Sequence, residues 1–195
     1  MRRLNMTIEV HMINNIRFLI LLTLMFTACS QERTKPLYTV KLSDEGVGKI
    51  KMTTPFEMRL IEPKFPGFEI DKFTFFKEGE PFSLIQIGYR GTPWILLYPT
   101  KNKKNIESIA VLTSDIESVW PTKIGMRFDE TYKMEQLHLC EAGSEDLAGK
   151  VICPEPSSKR IRYVYSGKSR ALMGELPNYE ELRLWHVDEI IWRGR

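Results

Sequence analysis

The sequence is poor in the residues from which most catalytic and metal sites are built. It has three cysteines and three histidines in 195 residues. No Cys-x-x-Cys pair, His-x-x-x-His pair or Gly-x-Ser-x-Gly turn occurs in it. Because these spacings mark zinc sites, thiol redox centres and serine hydrolases, we expect no metal, no cofactor and no enzymatic activity. Long apolar runs are also lacking. The main apolar stretch, 18–28, is 11 residues long, whereas a membrane-spanning helix needs about 20.

That apolar stretch belongs to a leader that ends at a cysteine. Basic Arg17 precedes it, and Thr27 and Ala28 stand directly before Cys29. This arrangement is typical of a bacterial lipoprotein signal, whose leader is removed while the cysteine thiol is acylated. We therefore predict a signal peptide over 1–28, lipid attachment at Cys29, a tether over 29–41 and a single domain over 42–195. Because serine rather than aspartate follows the cysteine, we expect the outer membrane, with the domain in the periplasm.

Removal of the leader leaves a nearly neutral domain. The leader takes away three arginines and one glutamate, so the formal charge falls from +3 to +1. Nucleic-acid-binding domains usually carry a strongly basic face. We therefore expect no nucleic-acid partner.

Two cysteines remain once Cys29 is acylated. Cys140 and Cys153 flank a polar stretch that contains Gly143 and Gly149, which predicts a long hairpin turn between strands at 137–140 and 151–153. In an oxidising compartment the two thiols are expected to form a disulfide. A metal pair or a redox couple is the alternative, and neither close cysteine spacing nor clustered histidine supports it.

Short β-branched and aromatic runs indicate strands in the rest of the chain. Runs at 68–76, 82–89, 94–98 and 106–113 are separated by hairpin-length turns and predict an antiparallel meander. Further strands are predicted at 160–166 and 189–192. Short helices are expected to begin at Thr54 and near Phe128. The segment 179–185 is either a third short helix or the first half of the final strand. We predict a mainly β, antiparallel β-sandwich-like domain with two or three short helices, and an α+β layer is the alternative.

The candidate binding residues lie in loops. Glu145 and Asp146 stand in the turn that the disulfide would hold, and a rigid acidic loop suits the basic patch of a partner. Trp120, directly before Pro121, is the expected exposed aromatic anchor. One turn is rich in lysine, at Lys101, Lys103 and Lys104. A charged turn is usually only solvated, and contact with anionic lipid is the functional alternative.

Several short motifs occur in a characteristic order along the chain. They are 44–48, Phe65-Pro66-Gly67, Cys140 with Gly143 and Glu145-Asp146, 149–153, 163–167 and 190–192. In order and spacing they resemble the sigma-E-regulated outer-membrane lipoproteins of enteric bacteria, a domain family of unknown function. The resemblance runs from about Leu42 to Arg193. It implies a mainly β fold, a lipid anchor and induction under envelope stress, and it supplies no catalytic residues.

Two hypotheses of function follow. The first is a non-catalytic, lipid-anchored protein that binds a protein or another envelope component under envelope stress. The alternative is a carrier of a small lipid or glycan, or a weak hydrolase, built around a cavity in the β domain.

Overall fold

An eight-stranded antiparallel sheet organises the protein. The computed structural model describes residues 39–77 and 79–194, so the predicted signal peptide, Cys29 and the tether up to residue 38 lie outside the described residues. From one edge to the other the strands are β3 Glu69–Lys77, β4 Glu80–Tyr89, β5 Thr92–Pro99, β6 Ile106–Val111, β11 His186–Arg193, β10 Ile161–Ser166, β9 Val151–Pro154 and β8 Glu141–Ala142. The predicted meander is β3 to β6. The prediction of a mainly β, antiparallel fold with short helices is confirmed.

A second sheet is small and contains one parallel pair. Its strands are β2 Gly46–Val47, β1 Lys41–Ser43 and β7 Glu117–Ser118, in that order. β1 pairs antiparallel with β2 and parallel with β7. Val40 is buried and Lys41 already begins β1. Lys41, the last residue of the predicted tether, is thus the first residue of β1.

Alternation along the strands buries one face of the large sheet. Ile85 and Ile87 on β4 and Ile95 and Leu97 on β5 are fully buried on this core face. Burial of such a side chain stabilises the fold by roughly 1.5–3 kcal/mol. The residues between them in sequence point to the opposite side, which we call the outer face. It carries aromatic and charged side chains that are only partly covered.

The helices are one turn long and supply side chains to the core. They are α1 Met58–Ile61, α2 Phe128–Thr131 and α3 Tyr179–Leu182, with 3₁₀ turns at Glu62–Lys64, Met134–Leu139 and Glu145–Leu147. Phe128 stacks on Tyr132 with 5.2 Å between ring centroids, as the spacing of these residues predicts. No helix in 39–77 or 79–194 is long and apolar enough to cross a bilayer.

Two local predictions are wrong. The first helix begins at Met58 and not at Thr54, because Thr54 uses its backbone carbonyl to accept a hydrogen bond from the Ile106 amide at 3.2 Å. Leu60 on this helix faces outward, with 39% of its surface exposed, whereas Phe56 before it is buried. The segment 137–139 is part of a 3₁₀ turn and not a strand, since the Cys140 amide donates to the Leu137 carbonyl at 3.0 Å.

Candidate functional site

The disulfide between Cys140 and Cys153 is present. The bond joins the residue before β8 to the third residue of β9, with 4.3 Å between the two Cα atoms. Both cysteines are buried. The bridge therefore closes the base of the loop at residues 143–149, which we call the acidic loop.

The acidic loop is folded tightly on itself. The Gly143 amide donates to the Lys150 carbonyl at 2.8 Å, and the Lys150 amide donates to the Leu147 carbonyl at 3.0 Å. Position 143 requires glycine, because a Cβ there would lie 2.0 Å from the Leu147 carbonyl oxygen. Glu145 has a left-handed backbone with φ of 50°, a conformation that costs a non-glycine residue about 1 kcal/mol or more. Such a loop is fixed in shape before any partner arrives.

A surface cavity of about 420 Å³ lies between the acidic loop and the outer face of the sheet. Ile152 and Ile191 give it apolar walls, and its loop side is formed by Ser144 to Leu147. The charged side chains at the cavity are Glu141, Glu145, Asp146, Arg162 and Arg193. Arg162 on β10 donates from Nη1 to Oε1 of Glu141 on β8, at 3.1 Å, over the strand β9 that lies between them. The cavity thus combines a small apolar floor with charged groups of both signs.

Two further ionisable residues, Tyr98 and Glu189, lie on the outer face of the sheet. Burial, reinforced by the charges of Glu189 and Asp146, raises the pKa of Tyr98 to about 12. Burial also raises the pKa of Glu189 above its ordinary value, although the Lys150 ammonium opposes this effect. The charge of Asp146 thus acts on Tyr98 of β5, a strand distant from the acidic loop in sequence.

Lys150 fixes the far end of the acidic loop. Its ammonium group donates to Asp188 at 2.7 Å and holds the pKa of that carboxyl below its ordinary value. The link joins the loop to β11. Together with the disulfide, it anchors both ends of the loop to the large sheet.

The structure brings together some of the predicted site residues and separates others. Glu145 and Asp146 are exposed and line the cavity, as the position of their turn predicts. The prediction that Trp120 is exposed is wrong. Its side chain is 9% exposed, and its indole N–H donates to Ser157 Oγ at 3.0 Å. Ser157 in turn donates to the buried Glu155, so Trp120 belongs to a buried hydrogen-bond network.

Sequence reasoning missed Tyr98, Glu189 and Arg162. Each lies within a strand at a position that points to the outer face. The available signal was a polar side chain alternating with buried ones, as for Arg162 between Ile161 and Tyr163. That signal normally indicates solvent exposure, and only the long-range fold shows that these residues face a common region.

The remaining chemistry is sparse in the part of the chain that the structure describes. No group of three or more histidine, cysteine, aspartate or glutamate side chains there is arranged to hold a metal ion. A second surface cavity, of about 540 Å³, lies between the Gly149–Val151 segment and the loop at 167–177. Leu172 and Met173 on this loop are 72% and 85% exposed.

Comparison with known proteins places this chain in a family. The chain is 27% identical over 167 residues to the uncharacterized protein YfeY of Escherichia coli (strain K12), with 80% of each chain covered. The crystal structure of the uncharacterized protein yfeY from Escherichia coli matches with a TM-score of 0.68 and 26% identity, covering 79% of this chain and 99% of the other. A family model described as a protein of unknown function (DUF1131) matches residues 37–194. The chain therefore belongs to the DUF1131 family of proteins of unknown function.

Proposed function

We propose that this protein is a non-catalytic, lipid-anchored envelope protein that uses the acidic loop and its cavity to bind a protein partner. The leader pattern before Cys29 supports the anchor, and Ser30 supports residence in the outer membrane. The resemblance to sigma-E-regulated lipoproteins supports a role under envelope stress. The cavity with its bridged loop supports binding.

One observation carries the binding proposal: a charged loop is held in one shape by a disulfide at its base and an ion pair at its end. The Cys140–Cys153 bond and the Lys150–Asp188 contact limit the conformations that the loop can adopt. A preorganised loop loses less conformational entropy when it binds. A rigid charged loop on an exposed surface is better suited to binding a partner than to a purely structural role.

The charges indicate what kind of partner segment fits. Glu145 and Asp146 on the loop, together with Glu141 on β8, give the cavity three acidic groups against the two arginines Arg162 and Arg193. Arg162 is already paired with Glu141. A basic segment that carries one apolar side chain would match both the loop and the floor formed by Ile152 and Ile191.

The test is a charge-neutralising variant of the acidic loop. We expect Glu145→Gln with Asp146→Asn to lower the cross-linked yield of the main partner in living cells about tenfold, the effect of losing about 1.4 kcal/mol of binding free energy. The yield is measured by quantitative mass spectrometry against the parent protein. The matched control is Glu135→Gln with Glu175→Gln, which removes two exposed acids away from the cavity.

The control fixes how the result is judged. Equal yields from the loop variant and the parent, with unchanged thermal midpoints, would show that the loop is only structural. An equal loss in the control variant would assign the effect to overall charge and not to the loop. The small-ligand carrier remains the alternative, and co-purification of a lipid or glycan with the protein would favour it.

A further inference from the structure

Two turns meet at one end of the large sheet. The β3–β4 hairpin and the β5–β6 connection lie at this end, and Lys103 Nζ donates to the Pro81 carbonyl between them at 2.9 Å. We call the group formed by Phe75, Phe76, Lys101, Lys103 and Lys104 the aromatic–lysine corner. It is distinct from the residues that line the acidic-loop cavity.

The aromatic part of the corner is exposed. Phe75 is 45% and Phe76 is 77% exposed, on the edge strand β3. Phe75 stacks on Phe82, with 5.7 Å between ring centroids, and is thereby held in place. Since adjacent strand residues point to opposite faces, the two phenylalanines present apolar surface on both sides of the edge. The edge of the sheet therefore exposes aromatic surface around this tip, which is available for contact.

The lysine part of the corner is held by hydrogen bonds, and its charged side chains are all positive. The connection 99–105 carries three lysines and no acidic residue. Asn102 Oδ1 accepts hydrogen bonds from Thr100 Oγ1 at 2.7 Å and from the Lys104 amide at 3.1 Å. All three lysines are exposed. The neighbouring hairpin adds Lys77 and two acidic residues, Glu78 and Glu80, so the two turns together keep a net positive charge.

We propose that the aromatic–lysine corner rests on an anionic phospholipid bilayer. Lysine ammonium groups would contact lipid phosphates, and the phenylalanine rings would enter the boundary between headgroups and acyl chains. A bilayer fits better than a folded protein because it accepts apolar rings and several cations side by side on one flat surface. The contact fixes how the domain is oriented on the membrane, which goes beyond the proposed binding function.

The buried native tryptophans allow a direct test in the full chain. Trp94, Trp120, Trp185 and Trp192 are at most 9% exposed, so a fifth tryptophan reports its own surroundings. The Phe76→Trp chain is reconstituted with phosphatidylcholine vesicles containing about one third phosphatidylglycerol, with brominated acyl chains as the quencher. Met173→Trp places the reporter on the loop after β10, at the opposite end of the sheet. Both reporters are placed in the same full chain, so the difference in quenching between them does not depend on how the chain is attached to the vesicle.

We expect at least about twofold stronger quenching for Phe76→Trp than for Met173→Trp. Lys101→Glu with Lys104→Glu should abolish this difference, whereas Lys123→Glu with Lys133→Glu, which reverses two exposed lysines outside the corner, should preserve it. Equal quenching at the two reporters, or quenching that survives charge reversal at the corner, would overturn the proposal. A blue shift of the added tryptophan that grows with protein concentration in the absence of lipid would also overturn it, since a second copy would then cover the corner.

The outcome is separate from that of the proposed function. Neutralising Glu145 and Asp146 should leave the quenching at position 76 unchanged. Loss of corner quenching with intact partner capture, or the reverse, therefore identifies which proposal fails.

Discussion

At the scale of single residues, Glu189 is the most informative ionisable group of the outer face. Burial raises its pKa, and the neighbouring carboxylate of Asp188 acts in the same direction. The Lys150 ammonium, which donates to Asp188 at 2.7 Å, opposes this rise in the pKa of Glu189, but the effect of burial is larger. Glu189 therefore retains a carboxylate where the fold disfavours its charge. An ionisable residue in an environment that disfavours its charged form is a candidate for a role in function rather than in stability.

This assignment predicts how stability varies with pH. A carboxyl whose folded-state pKa is raised costs stability as pH rises from its unfolded value, 4.5, through the folded value. Glu189→Gln removes that cost. The gain in unfolding free energy over the parent should therefore be larger at about pH 7 than at about pH 4, measured by urea denaturation. A gain that is equal at the two pH values, or larger in acid, would contradict the assigned environment.

At the scale of secondary-structure elements, the disulfide holds the weakest part of the large sheet. β8 is two residues long and lies at the edge, paired only with β9. Two pairs of residues contribute little to stability by themselves. The Cys140–Cys153 bond compensates for this short pairing and keeps the acidic loop above the sheet.

Removal of the disulfide should be costly. The bond joins residues 13 apart in sequence, and closing a loop of this size stabilises a fold by about 3 kcal/mol. We expect Cys140→Ser with Cys153→Ser to lower the unfolding free energy by that amount in denaturant titration, while Cys29→Ala leaves it unchanged. A loss below about 1 kcal/mol would mean that the loop keeps its shape without the bond.

Sequence patterns predicted the elements well where composition and turn residues decided them. The runs that became β3 to β6 and β10 are rich in β-branched and aromatic residues and are bounded by turn residues, so the local sequence alone marks them as strands. Prediction failed where a distant strand competed for the backbone, as at Thr54, whose carbonyl is taken by Ile106. It failed likewise at 137–139, where a 3₁₀ turn replaces the expected strand. Local propensity cannot anticipate such pairings.

At the scale of the whole molecule, function depends on how the domain is held and what it presents. We propose that Cys29 attaches it to the membrane, that the aromatic–lysine corner contacts the bilayer and that the acidic loop receives a partner. The candidate site was only half predictable from sequence. Glu145, Asp146 and the two cysteines are close in the chain, whereas Tyr98 and Glu189 join them through strand order.

The central claim is that the acidic loop is a binding surface on a membrane-anchored protein. The most direct measurement places a photo-cross-linking amino acid at Ser144, which lines the cavity, in living cells. A second chain carries it at Glu135, outside the cavity. The account predicts one dominant adduct from position 144, none from position 135, and strong loss of that adduct when Cys29→Ala removes the anchor. The same adducts from both positions, or no adduct from Ser144 in the anchored chain, would contradict it.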